Sequence, residues 1–135
     1  MNVWSIRSRS AHSRRLATAP TSLTVTCRTR RRGRSTESTV AVNGEVDAAN
    51  AKEFAHVVRE AAGSSNGVVL DLTEVPFMAF DGVSALYAIS AHLLREDAHW
   101  CVVASPAVSR VLKLCDPEGL IPLAGVSSIR GTELA

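Results

Sequence analysis

Asp81-Gly82 is the point in this chain where residue type and spacing suggest a site. A loop, Val75-Pro76-Phe77-Met78-Ala79-Phe80, runs into a carboxylate and a glycine, and an amphipathic stretch follows. A helix beginning there presents free N–H groups and the positive end of its dipole, so the position suits a carboxylate or a phosphate. The plainer role for Asp81 is an N-cap worth about 1 kcal/mol. The other reactive side chains are scattered. His56 and His92 fall on expected helices, His99 abuts an expected strand and His12 lies near the N-terminus, a pattern of surface or half-buried imidazoles rather than of ligands or bases. Cys27, Cys101 and Cys115 include no C-x-x-C pair, which argues against a disulfide framework or a structural zinc. Cys101 and Cys115 flank the Ser105-Pro106 turn, so an antiparallel strand and helix would bring both thiols to one end of the domain. A bridge needs Cα atoms within about 7 Å, closer than a helix lies to the sheet beneath it, and inert thiols are expected. The glycine loops of nucleotide sites, the zinc-hydrolase helix and the nucleophile elbow are absent, as is any paired base and nucleophile. The expectation is a non-enzyme with no metal and no cofactor.

The elements that would carry Asp81 can be read from periodicity. Leu23, Val25 and Cys27 alternate with Thr24, Thr26 and Arg28, a polar turn passes through Arg32-Gly33-Arg34, and a second alternating run covers Thr39 to Val42 before Asn43-Gly44. This predicts a hairpin. Past Asp47, a plausible helix start, Phe54, Val57, Val58 and Ala61 recur at helical spacing and Gly63 stops the run. Val68 to Leu72, interrupted by Asp71 alone, predicts a central strand buried on both faces. A long helix follows Phe80 with Val83, Leu86, Tyr87, Ser90, Leu93 and Leu94 as its stripe; Trp100 to Ala104 form another strand. Pro106 opens a third helix that ends at Asp116-Pro117, and Leu120 to Leu123 suit a short edge strand. Strand–helix–strand links imply parallel pairing with right-handed crossovers, beside an antiparallel hairpin. The fold class is α/β: a small mixed sheet of four to five strands covered by three to four helices.

The 135 residues suffice for one domain, and 46% apolar with 21% charged residues is the make-up of a globular chain with a core. No apolar run approaches the roughly 18 to 20 residues of a membrane span, and no apolar leader core follows the first arginines, so a cytoplasmic location and no membrane are expected. The net charge of +2 conceals an asymmetry. Residues 1–34 hold nine arginines and no acid, whereas residues 35–135 hold six basic against thirteen acidic side chains. The globular part is therefore acidic, and specific nucleic-acid binding is not expected, although the basic segment can touch polyanions without sequence preference. Residues 1–20, rich in Ser, Arg, Ala and Thr, show no periodicity and predict a disordered basic arm, with the domain over 21–135. Such a stretch also has the composition of an organelle transit peptide or of an upstream extension of the reading frame.

Taken in order, these residues resemble the STAS domain family of anti-sigma factor antagonists. The likeness runs from about Leu23 to the C-terminus: Gly44-Glu45-Val46-Asp47 with Ala48-Ala49-Asn50 before the first helix, then Val68-Val69-Leu70-Asp71-Leu72 with Val75-Pro76-Phe77 as the central strand and loop. Gly82-Val83 leading into Ala85-Leu86 is similar to the family's regulatory helix, and Val108-x-x-Val111-Leu112 with Gly119-Leu120 to its third helix and turn. The resemblance implies a partner switch. An unmodified antagonist binds an anti-sigma factor of kinase-like fold and frees a sigma factor, and phosphorylation of a Ser or Thr just before the helix glycine ends the binding. This chain departs from the family's Asp-Ser-Ser-Gly or Asp-Ser-Thr-Gly loop. It reads Ala79-Phe80-Asp81-Gly82, so Asp81 is the phosphoacceptor-equivalent residue and Ala79 replaces the upstream acid. Aspartate cannot be esterified by a Ser/Thr kinase, and it offers one charge and two acceptor oxygens where a phosphate offers about −1.5 to −2 and three. Control without loop phosphorylation is implied, either as constant engagement or as a permanently phosphorylated-like state.

The partner-binding set expected from this likeness is Asn43, Asp47, Phe80, Asp81, Gly82, Val83 and Ser84, gathered at one end of the sheet. Ser84 is either a substitute acceptor or a solvated helix residue, and Phe80 is either an interface anchor or packed against the helix start. Two other readings stand beside this one: a STAS interaction module of another signalling assembly, and a polyanion-binding protein acting through its arginine arm.

Overall fold

The structure, a computed structural model, describes residues 2–7 and 22–124. Five strands form a single sheet in sequence order: β1 (Asn2–Arg7), β2 (Ser22–Arg32), β3 (Ser35–Asn43), β4 (Gly67–Glu74) and β5 (His99–Ala104). The first three pair antiparallel, and β3/β4 and β4/β5 pair parallel. Three helices, α1 (Ala51–Ala62), α2 (Phe80–Arg95) and α3 (Pro106–Cys115), complete the described residues.

Both crossovers step the same way across the sheet, from β3 through α1 to β4 and from β4 through α2 to β5. Right-handed connections in one direction place their helices on one face. That face holds the core: Leu23 and Val25 from β2, Val40 and Val42 from β3, Leu70 and Leu72 from β4 and Val102 from β5, under Phe54 and Val58 of α1, Leu86 and Ile89 of α2 and Val108 of α3, all 1% exposed or less. The alternation seen in the sequence of β2 is this one-sided burial. It also corrects the expectation for β4. Val68, Leu70 and Leu72 are buried, but Val69 and Asp71 are half-buried on the face that carries no helix among the described residues, so the strand is internal to the sheet without being covered on both sides.

The expected disordered arm is corrected at residues 2–7, which form β1 in register with Ser22 to Cys27. Trp4 lies opposite Val25 and packs against the core. Six residues among serines and arginines carry too little periodicity to reveal a strand whose partner lies twenty residues away. The rest of that expectation, 8–20, lies outside the described residues, as does 125–135 at the other terminus.

Local chemistry fixes the helix ends. Ser105 caps α3, its Oγ accepting from the Val108 N–H (3.2 Å) while its hydroxyl donates to the Val75 carbonyl (2.6 Å), and Pro106 takes the first helical position. Gly63 closes α1 at φ +55°. After α3, the expected edge strand is reduced to one parallel bridge, with Val102 donating to Pro122 O and accepting from Ala124 N, each at 2.8 Å.

Candidate functional site

Two chain segments meet where the sheet hands over to its helices. β3 ends at Asn43, and Val46 then pairs with Met78 as an isolated parallel bridge: the Val46 N–H donates to Phe77 O (3.0 Å) and the Ala79 N–H donates to Val46 O (2.8 Å). The corner at 44–47 is thereby tied to the residues that lead into α2. Asp47 holds the corner itself. Its Oδ1 accepts from the N–H groups of Ala49 (2.9 Å) and Asn50 (3.0 Å), while Asn50 Oδ1 accepts from the Asp47 N–H (2.9 Å) and Asn50 Nδ2 donates to Glu45 O (2.9 Å). Asn50, fully buried, precedes α1, so the helix starts three residues later than a cap at Asp47 would give.

Packing explains why a glycine, Gly82, stands in the first turn of α2. A Cβ built there would lie 2.5 Å from Met78 Cγ, 2.9 Å from Met78 Sδ and 3.1 Å from Val46 Cγ1. The first turn of α2 therefore rests directly on the Val46–Met78 bridge, and this seat sets the height at which the preceding residues stand. Ala79 is the cap residue and has no polar side chain, so the plainer reading of Asp81 as the N-cap is corrected. Asp81 occupies the first turn proper, where its charge meets the helix dipole, a contribution of about 0.3–1 kcal/mol.

The expected partner-binding residues divide on burial. Asn43, Phe80, Asp81 and Ser84 are exposed, Phe80 by 67%. Gly82 and Val83 are buried, because the i, i+3, i+4 stripe that made Val83 visible in the sequence is the stripe that faces the core; they position the lip and do not form its surface. Asp47 is half-buried with its carboxylate already occupied. Asn43 opens onto a different recess, beside Glu74, Ser105 and Arg110, from the one that Asp81 lines. Asp81 and Ser84 share a shallow groove of about 450 Å³ between α1 and α2, floored by alanines and edged by Lys52 and Arg59. Phe77, 48% exposed, stands just before Phe80 at the same loop. Sequence reasoning missed Phe77, Lys52 and Arg59 as members of the surface. Lys52 and Arg59 are seven residues apart on one helix, a two-turn spacing that puts both on one face and that could have signalled them.

The lip is thus two exposed aromatics, a carboxylate at a helix start and a groove with cations on its far wall, a surface suited to docking and lacking a nucleophile held by a base. No group of three or more metal-ligating side chains occurs among the described residues. Likewise, no helix among them is long and apolar enough to cross a membrane.

A second polar cluster anchors the middle of α2. Asp116, 7% exposed, accepts from Tyr87 Oη (2.8 Å), Leu120 N (3.0 Å) and Ile121 N (2.8 Å). Burial pushes its carboxyl upward, but the Ile121, Tyr87 and Leu120 donors outweigh that and hold it below the usual aspartate value. The hydrogen bond to Asp116, then burial and the nearby negative charge, raises the Tyr87 phenol. Cys101 pairs with Val69 on the face away from the helices, where burial raises its thiol, while Cys115 packs against the core on the helix side. The two thiols lie on opposite faces of the sheet.

Comparison with known proteins places this geometry in context. Residues 29–127 match the family model described as the STAS domain. Among curated proteins, Osmosensory protein A of Mycobacterium tuberculosis (strain ATCC 25618 / H37Rv) is 35% identical over 89 residues, covering 63% of this chain and 56% of that protein. The chain therefore spans little more than half the length of that curated relative. Among solved structures, an anti-sigma factor antagonist from Mycobacterium paratuberculosis superposes with a TM-score of 0.59 at 29% identity, over 73% of this chain and 84% of the other. An antisigma-factor antagonist STAS domain from Rhodobacter sphaeroides gives 0.51 at 26% identity, over 64% and 95%. The unphosphorylated antagonist SpoIIAA gives 0.55 at 14% identity, over 78% and 97%, a likeness of fold alone.

Proposed function

The chain belongs to the STAS domain family, and on that premise we propose that it is a partner-switching regulator of transcription that binds a kinase-like anti-sigma factor and so releases a sigma factor. The docking face is the lip of α2: Phe77, Phe80, Asp81 and Ser84, seated by Gly82 on the Val46–Met78 bridge. The observation that carries this reading is the exposure of Asp81 at the first turn of α2 beside an exposed phenylalanine, on a helix whose start is fixed by packing. Buried aromatics ringed by polar groups supply most of the affinity at protein interfaces, and a 67% exposed Phe80 is an anchor awaiting such a pocket.

Asp81 sets the regulation. A carboxylate cannot accept a phosphoryl group as an ester, so a Ser/Thr kinase has no handle at this position. Its single charge falls short of a phosphate's and is further offset by the helix dipole, so the protein engages its partner constitutively and its output follows its abundance. A titration of the cognate anti-sigma factor with the native protein, Asp81→Asn and Asp81→Ser tests this. The expected result is tight binding by all three in the absence of nucleotide, and a loss on addition of ATP for Asp81→Ser alone. Binding by Asp81→Ser but not by the native protein would show that the carboxylate acts as a phosphate and would overturn constitutive engagement. Failure of Phe80→Ala to weaken binding would remove the lip as the docking face.

A further inference from the structure

We propose that the tip of the β2–β3 hairpin is a second interaction surface, a basic ribbon that binds the phosphate backbone of duplex nucleic acid without sequence preference. Five arginines, Arg28, Arg30, Arg31, Arg32 and Arg34, lie between Cys27 and Ser35, and all five are exposed. They belong to ordered antiparallel strands, with Arg28 opposite Thr39, Arg30 opposite Glu37 and Arg32 opposite Ser35. Among the described residues the one ion pair is His56–Glu60, so Arg30 is not held in an ion pair with Glu37, the acid that faces it.

The arginines line an open strand edge that ends in a short two-stranded ribbon. β1 pairs with β2 only as far as Cys27, which leaves the Arg28–Arg32 edge of β2 open. On the β3 side β4 pairs from Glu37, and Thr36 is tied to Asn66 through its N–H (to Asn66 Oδ1, 2.8 Å) and its carbonyl (from Asn66 N, 2.8 Å), so the two-stranded stretch is Arg31 to Ser35. Arg28, Arg30 and Arg32 share the face opposite to buried Leu23, Val25 and Cys27, at steps of about 6.8 Å along the strand, while Arg31 points the other way and Arg34 sits beside the Gly33 turn. Charge therefore surrounds the ribbon. A two-stranded ribbon fits the major groove of B-form DNA, about 12 Å wide, where phosphates line both walls, and the guanidinium fork matches phosphate oxygens in pairs. Residues 35–135 are acidic, with thirteen acidic against six basic side chains, so a polyanion is repelled from the body of the domain and the hairpin is its basic part. No aromatic or large aliphatic side chain lies between Arg28 and Glu37 to enter a bilayer, which favours nucleic acid over a lipid surface.

The test uses the full chain, a fluorescent duplex of mixed sequence and anisotropy across a salt series. Each phosphate neutralised contributes about −0.9 to the slope of log K against log salt, so five contacts give roughly −4.5 and a loss of about 500-fold between about 50 and 200 mM salt. Arg30→Ser/Arg31→Ser/Arg32→Ser leaves two contacts, a slope near −1.8 and a loss of about 12-fold over the same range. Arg30→Lys/Arg31→Lys/Arg32→Lys keeps the charge and the strand, and should keep the steep slope with weaker binding. Arg95→Ser, on the acidic body, should leave the slope unchanged. The proposal is overturned if the native chain does not bind the duplex at low salt, or if the serine variant keeps the native slope, which would assign binding to arginines outside the hairpin. Tighter binding to phosphatidylserine vesicles than to the duplex, or equal binding to polyglutamate, would overturn it in favour of a lipid surface or of unselective charge.

Discussion

Substituting Gly82 by alanine tests whether the first turn of α2 is seated as described. The added methyl would meet Met78 Cγ at 2.5 Å, Met78 Sδ at 2.9 Å and Val46 Cγ1 at 3.1 Å, all inside normal contact distance. Met78 is a flexible side chain, but it is 4% exposed and Val46 is fully buried, so neither can swing into solvent without opening the core. Overpacking of this kind costs about 1–3 kcal/mol. Alanine returns about 1 kcal/mol of helix propensity over glycine, leaving a net loss of up to about 2 kcal/mol. Urea unfolding should show this as a lower midpoint with an unchanged slope. Adding Met78→Ala removes the larger of the two clashes, so the double variant should be more stable than the sum of the single changes allows, a coupling of about 1 kcal/mol or more. Gly82→Ala at or above native stability would refute the tight seat, and with it the account of how Phe80 and Asp81 are held at a fixed height.

Asp116 gives a pH signature: its folded pKa lies below the unfolded one, so its stabilising contribution is complete above the unfolded carboxyl range and disappears as pH falls through the folded value. Thermal melts from pH 6 to pH 2.5 should fall more steeply for the native protein than for Asp116→Asn, and parallel curves would remove Asp116 as the group responsible. Ser105→Ala deletes a buried cap and the donor to Val75 O, and should lower unfolding free energy by about 1–2 kcal/mol in denaturant titration. Oxidation followed by peptide mass spectrometry should yield no Cys101–Cys115 linkage, because the sheet stands between the thiols.

The fold was legible wherever burial is one-sided and local. Leu23, Val25 and Cys27 announced β2, Phe54 to Ala61 announced α1, and Pro106 with Asp116-Pro117 bounded α3, because each signal comes from residues within one element. The misreadings all involve partners distant in sequence. β1 exists because Asn2–Arg7 finds the free edge of β2, which no local pattern can show. β4 reads as a doubly covered strand because Val69 is apolar, whereas its exposure depends on both crossovers placing their helices on the other face. At the site, position 81 was visible as a charge before a glycine. That Val83 faces inward is legible too, since it opens the same apolar stripe as Leu86, while its neighbours Asp81 and Ser84 lie off that stripe and face solvent. Gly82 drew attention as part of a motif, and the contact that demands it, with Val46 from across the β3–α1 corner, is tertiary.

The direction of β3 separates the two proposed surfaces. The strand leaves the arginine tip at Ser35 and ends at Asn43, next to the corner that supports α2, so its nine residues span about 30 Å at the usual rise. That is several times the Debye length at physiological salt, about 8 Å, so charge changes at the tip are screened from the lip. A partner on Phe80 and Asp81 and a polyanion on the hairpin therefore use separate surfaces with no direct electrostatic competition. The serine variant of Arg30, Arg31 and Arg32 should bind the anti-sigma factor as the native chain does, and Phe80→Ala should bind the duplex as the native chain does. A shared loss in either case would mean that the two surfaces are one, with the hairpin and α2 contacting the same partner, and the separation drawn from the strand would be wrong.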